Sequence, residues 1–225
     1  MNDNEQTHLR LAPDDALRFL VTHAHGLAGG NRRVALGIAG GPGVGKSTLA
    51  VELVAALNAE TPGRAAYVPM DGFHMRHAKL VALGTDADKG MPHTFEGAAF
   101  ADFLERLKAA DGPVSGPGYS RKIEDVVEDA FTVDGGVKLL VVEGNYLLLA
   151  NSPWWRIKPL LESSVFIEVP RETVRERLMK RHGEEGLFSE ARNREHVERV
   201  DLANYDLVQR SRGRADIAID LLTES

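Results

Sequence analysis

One stretch constrains this chain more than any other. "RVALGIAG" is a short apolar run ending in glycines, and "GPGVGKSTLAVELVAALNAE" follows it directly. A buried strand therefore meets a glycine-rich turn and then a strong helix. Across the turn, Gly40, Gly45, Lys46 and Ser47 match the spacing G-x-x-x-x-G-K-[ST]. Glycines let successive backbone N–H groups turn inward on an anion with no Cβ in the way. The helix that opens there adds the positive end of its dipole. Such a unit cradles a polyphosphate.

The expected nucleotide-binding residues are Gly40, Gly41, Gly43, Val44, Gly45, Lys46, Ser47 and Thr48. Lys46 is placed to reach the β- and γ-phosphates of ATP, and the Ser47 hydroxyl to bind Mg²⁺. A second acid belongs to this chemistry. Glu143 ends the apolar run "LLVVEG", where it would bind the metal directly or through water, or else cap the following turn.

The rest of the chain alternates strands and helices. "AAYVPM", "KLLVVEG", "SVFIEVP" and "ADIAIDL" read as further buried strands, and "PDDALRFLVTHAHGLAG", "AAFADFLERLKAA" and "SPWWRIKPLLES" as helices. Between Asp111 and Gly136 the pattern suggests loops with a small β-ribbon. The expected fold is α/β: five largely parallel strands covered by helices on both faces. No repeat, low-complexity tract or linker divides residues 1–225, so a single domain is expected.

Composition narrows the function. The chain has 225 residues, a net charge of −6 and scattered Arg and Lys, which disfavours a nucleic-acid partner. It contains no cysteine, excluding disulfides and thiolate metal sites. Its polar, acidic N-terminus is unlike a signal peptide, and no apolar run approaches the roughly 20 residues of a membrane span. A cytoplasmic location with no membrane partner is expected. The histidines form no dense ligand motif in the sequence, so a protein-bound zinc is not expected.

Asp71 in "VPMDGFHM" ends a strand and should share the rim occupied by the phosphate cradle. The patterns that accompany a water acceptor, Asp-x-x-Gly and Asn-Lys-x-Asp, are not found. A phosphate acceptor would call for arginines, of which Arg76 and Arg121 are candidates. An alcohol acceptor needs a carboxylate to take or orient its proton, and Asp71 suits that role best. An Asx turn before Gly72 is the alternative.

Together, "GGPGVGKST", "PMDGFHM", "LLVVEG" and the arginine-rich segment after Arg171 resemble the P-loop small-molecule kinases that include uridine kinase, phosphoribulokinase and bacterial pantothenate kinase. The likeness runs from about Arg33 to the last strand, and it is greatest to a bacterial branch described as nucleoside/nucleotide kinase-like or fructose-transport-associated. It implies a P-loop NTPase fold, a base at Asp71, a P-loop from Gly40 to Thr48, a metal-linked acid at Glu143 and an arginine-bearing lid. Uridine kinases carry a histidine in a stretch that here reads "PGYSRKIEDVVEDA", without one.

Other residues are expected around the acceptor: Phe73 and His74 as a wall, with His93, Tyr119 and Arg121 adding hydrogen bonds or a stacking face. Arg177 and Arg181, spaced i, i+4, share a helix face. They either close over the transferring phosphoryl group or belong to a solvated, ion-paired surface; the lid, at about residues 177–195, is favoured because glycines at 183 and 186 resemble hinges. The expected activity is ATP- and Mg²⁺-dependent transfer of a phosphoryl group to a small-molecule hydroxyl, a fructose-type sugar first and a nucleoside or pantothenate-like alcohol next. A nucleotide monophosphate kinase and an NTPase regulator follow. A homodimer is left open, and Asp201 and Asn204 have no role from spacing.

Overall fold

In a computed structural model, which describes residues 6–27, 30–186 and 189–222, six strands form one sheet whose neighbouring pairs all run parallel. They are β1 (Thr7–Leu11), β2 (Val34–Ala39), β3 (Ala65–Pro69), β6 (Leu139–Gly144), β7 (Ser163–Glu168) and β8 (Ile217–Leu221), in the order β1-β8-β7-β2-β6-β3. A separate antiparallel ribbon pairs β4 (Val114–Ser120) with β5 (Asp125–Val133). The helices are α1 (Pro13–Leu27), α2 (Lys46–Glu60), α3 (His77–Leu83), α4 (Gly97–Ala109), α5 (Arg171–Glu185), α6 (Glu190–His196) and α7 (Leu202–Gln209).

Successive strand residues point to opposite faces, and both faces are covered. Leu36, Ile38, Leu139, Val141, Val165 and Ile167 pack with α1, α2 and α5. Ala35, Ala39, Leu140, Val142 and Phe166 pack with α4 and the segment around Trp154. This two-sided burial is why the strands read as continuous apolar runs. Each fully buried Leu, Ile or Val side chain contributes roughly 1.5–3 kcal/mol of transfer free energy.

Three expectations change. The sheet has six strands rather than five, because "THLRL" pairs with β8 from Thr7↔Ile217 to Leu11↔Leu221. That edge strand packs only through Leu9 and Leu11, its other residues being Thr7, His8 and Arg10, so it lacks the apolar run of a central strand. "SPWWRIKPLLES" forms two 3₁₀ turns, Trp154–Arg156 and Lys158–Leu160, rather than an α-helix. Pro159 has no N–H for a helical bond. Finally, α5 runs through Gly183 and stops at Gly186, whose φ of 64° closes the helix in the left-handed region.

The ribbon is fixed to the sheet by a buried cation. The Arg33 guanidinium donates to the carbonyls of Leu107 at the end of α4, Gly112, Asp134 and Val137. It thus caps a helix C-terminus and pins both ends of the ribbon. Among the described residues, no helix is long and apolar enough to cross a membrane.

Candidate active site

The register brings three functional strand ends to one rim. Ile38 pairs with Glu143 and Ala39 with Gly144, while Pro69 pairs with Glu143 from the other side. The glycine turn after β2, the turn after β3 and the end of β6 therefore meet at the carboxyl edge of the sheet, where ligands bind in open parallel folds. A cavity of about 1280 Å³ opens there, room for a nucleotide and a small second molecule.

The cradle floors one end of this cavity through Pro42, Gly43, Gly45, Lys46, Ser47 and Thr48. Gly45 precedes α2 with φ 93°, a conformation that a side chain would strain. Lys46 is buried, its Nζ 3.3 Å from Glu143 Oε1 and 3.4 Å from the Gly41 carbonyl. Burial pushes the Glu143 carboxyl up, and the Lys46 ammonium pulls it back. The other carboxylate oxygen accepts a 2.8 Å hydrogen bond from the Tyr67 hydroxyl. Gly40, Gly41 and Val44 lie beneath, against β7, Tyr205 and one another.

Asp71 faces the same cavity, half-buried, in a 3₁₀ turn formed by Met70–Phe73. Gly72 follows because a Cβ there would sit 2.0 Å from the Pro117 carbonyl oxygen of β4. The ribbon presses on the turn, and only glycine admits it. His74 Nδ1 donates to the Asp71 carbonyl at 2.8 Å. The His74 ring lies between Phe95 and Tyr119, at centroid distances of 3.9 and 4.6 Å. Burial lowers its pKa, leaving a neutral imidazole with Nε2 as an acceptor. Backbone bonds from Met75 to Thr94 and from Glu96 to Phe73 make "DGFHM" and "PHTFE" a single unit.

Not every expected acceptor residue arrives. His74, Tyr119 and Arg121 line the cavity. Phe73 instead turns into the core, its ring 4.9 and 5.3 Å from those of Phe100 and Phe103, since its side chain is apolar and the core lies directly behind. His93 is outside the lining and sits 3.3 Å from Asp88, half-exposed. Arg76 pairs with Glu128 on the ribbon, so of the two acceptor-phosphate candidates only Arg121 reaches the cavity.

The opposite wall comes from the C-terminal helices. Arg177 and Arg181 of α5 both line the cavity, and Val174 and Leu178 of that helix pack on Gly43. The duller surface also exists, on other residues: Arg175 pairs with Glu198, and Arg171 with Asp206. Residues 187 and 188 of the expected lid segment lie outside the described ones. Asp201 and Asn204 acquire roles: buried Asp201 accepts from His182 Nε2 at 3.0 Å, and Asn204 donates to the Gly90 carbonyl at 2.9 Å. Arg199 adds an ion pair to Asp88 at 2.9 Å. Arg199 and, from α7, Asn204 hold the loop around Gly90, while Asp201 ties the π-helical turn Val197–Asp201 to α5; such turns recur at functional sites. The fold also gathers His182, His196 and Asp201, whose ligand atoms lie within 4.8 Å of one another, a cluster with no signature in the sequence. Burial lowers the pKa of His196, Asp201 opposes that shift, and His182, Arg199 and Arg181 add to it.

No family model matches the chain. It is 33% identical over 195 residues to the uncharacterized protein YggC of Escherichia coli, covering 86% of this chain and 80% of that one. Over 198 residues it is 32% identical to a candidate uridine kinase of Schizosaccharomyces pombe, covering 85% and 84%. It is 31% identical over 135 residues to the pantothenate kinase of Latilactobacillus sakei, but spans only 44% of that protein. Among solved structures, a candidate fructose transport system kinase from Silicibacter sp. TM1040 superposes with a TM-score of 0.82 at 30% identity, covering 90% of this chain and 98% of the other.

Proposed function

Because the chain belongs to the P-loop small-molecule kinases, phosphotransferases with a hydroxyl acceptor, we propose that it transfers the γ-phosphoryl group of ATP to a hydroxyl of a small sugar-like metabolite, with Asp71 as the base. One observation carries this reading: a carboxylate and a polyphosphate cradle line the same cavity. In this reading residues 1–225 act as one kinase domain with a lid at about 177–195.

The residues divide the work. Backbone N–H groups of the cradle and the Lys46 ammonium hold the β- and γ-phosphates. The Asp71 carboxylate accepts the acceptor hydroxyl's proton as the oxygen attacks phosphorus. Arg177 and Arg181 offset the charge spread over the transferring oxygens. His74 Nε2, Tyr119 and Arg121 orient the acceptor. The donor set suits Mg²⁺, since Ser47 and Glu143 offer hard oxygens beside the cradle. Glu143, held by Lys46 and Tyr67, would bind the ion directly or through water. Bound there, Mg²⁺ supplies charge neutralisation at the β- and γ-oxygens.

A second reading, a nucleoside or pantothenate-like alcohol as acceptor, draws on the named relatives and on the aromatic stack of Phe95, His74 and Tyr119, which offers a flat ring a wall. A coupled ADP-release screen separates the two. Sugars are expected to stimulate ATP turnover most. Stimulation by nucleosides or pantothenate-like alcohols alone would favour the second reading, and turnover indifferent to every alcohol would overturn both.

A further inference from the structure

Tyr67 lies where strand geometry makes it a partner of the magnesium site. It pairs in register with Val141, and Pro69 with Glu143; with side chains alternating along each strand, Tyr67, Val141 and Glu143 share a face. That face is the one α2 covers, and α2 begins at Lys46 with Ser47 in its first turn. The Tyr67 ring packs with the apolar residues beneath α2, so its hydroxyl projects toward the cradle.

The hydroxyl makes a polar contact there: its hydrogen goes to Glu143 Oε2 at 2.8 Å. A phenol has a single hydrogen, and this bond commits it to the carboxylate. The consequence concerns metal binding. With Lys46 Nζ 3.3 Å from the other carboxylate oxygen, the phenol fixes the rotation of the Glu143 carboxylate against Lys46.

We propose that Tyr67 is a positioning residue of the metal site, a phenol whose hydrogen bond orients the Glu143 carboxylate for a hard divalent cation. The inference rests on the reading of Ser47 and Glu143 as metal-binding groups. Its role is confined to the metal: the backbone cradle and Lys46 hold phosphate with or without the phenol. Outer partners of metal ligands typically contribute about 10–100-fold to metal affinity, so a loss of that order is expected when the hydroxyl is removed.

The test is Mn²⁺ binding to the protein–ADP complex, followed by electron paramagnetic resonance, for wild type, Tyr67→Phe, Glu143→Gln and the double variant. Tyr67→Phe keeps the ring and deletes only the oxygen. The expected result is a weakening of Mn²⁺ affinity by about 10-fold or more in Tyr67→Phe, with ADP affinity in EDTA unchanged. Adding Tyr67→Phe to Glu143→Gln should weaken Mn²⁺ by less than it does in wild type, because the two groups act as a unit. Wild-type Mn²⁺ affinity in Tyr67→Phe, with Glu143→Gln impaired, would overturn the Tyr67 assignment alone. A wild-type complex that holds Mn²⁺ no more tightly than free ADP does would overturn the metal-site reading and this inference with it.

Discussion

The two ends of the cavity are built in opposite ways. At the end proposed to hold the nucleotide, β2, the turn from Gly40 to Gly45 and α2 follow one another without a break, and the buried Lys46–Glu143 pair, 3.3 Å apart, is already formed. At the end proposed to hold the acceptor, the wall is gathered from separate segments: Asp71 and His74 after β3, Phe95 before α4, Tyr119 and Arg121 near the ribbon turn, and Asn145 after β6. Backbone amides and a helix terminus bind any phosphate, so a local motif is enough. Recognition of one alcohol among many depends on the shape made by distant segments together. The cradle is therefore generic and contiguous, while the acceptor wall is particular and dispersed.

Substitutions at each end sharpen that contrast. Replacing Arg177 and Arg181 together by alanine should lower phosphoryl transfer by about 10³-fold, the scale of an arginine that neutralises transition-state charge. ATP affinity should fall far less, and a joint collapse of both quantities would place these arginines in ground-state binding. Lys46→Ala should reduce turnover by about 10²–10³-fold and leave the carboxyl of Glu143 buried without its cation. Unchanged ATP titrations and turnover in that variant would refute the cradle assignment.

Gly72→Ala tests the dispersed end. A methyl group 2.0 Å from the Pro117 oxygen must push the ribbon from the Asp71 turn, at a cost of about 1–3 kcal/mol in unfolding free energy. The acceptor KM should rise while the KM for ATP stays put; equal changes in both would mean that the ends are not independent. The smallest effect concerns pH. Burial lowers the pKa of His74, so between that lowered value and about 6.5 the unfolded chain holds more protons than the folded one. The stability from a neutral His74 is complete above about pH 6.5 and declines as pH falls, by at most about 1.4 kcal/mol per pH unit. His23 and His196 shift the same way. Urea unfolding between about pH 7 and pH 5 should show a shallower decline in His74→Phe than in wild type; parallel curves would remove His74 from the account.

Legibility in the sequence follows the same division. The central strands are readable as continuous apolar runs and α1 and α4 by apolar residues at helical spacing; α2 is announced by the glycine-rich motif that opens it, and the ribbon is only suggested by its turn-rich surroundings. β1 is not, because an edge strand with two packing leucines has too little apolar signal. At the site, the cradle residues are visible as a motif and Asp71 as an acid ending a strand. Phe73 shows the limit: it neighbours Asp71 and His74, yet its apolar ring joins Phe100 and Phe103. Tyr67 shows the converse. It reads as an ordinary strand residue, and only the register with β6 brings its hydroxyl to Glu143. Asp201 and Asn204 likewise gain meaning from their partners, His182 and the Gly90 carbonyl.

The central claim is that the Asp71 carboxylate, facing the triphosphate across the cavity, activates an alcohol. With an acceptor from the ADP-release screen in hand, acceptor-stimulated turnover and ATP affinity of Asp71→Asn can be set against those of wild type. Asparagine keeps the size and polarity of the side chain and removes only its basicity. The expected result is a fall in stimulated turnover of about 10²–10⁴-fold with ATP affinity intact. Near wild-type stimulated turnover in Asp71→Asn would contradict the claim.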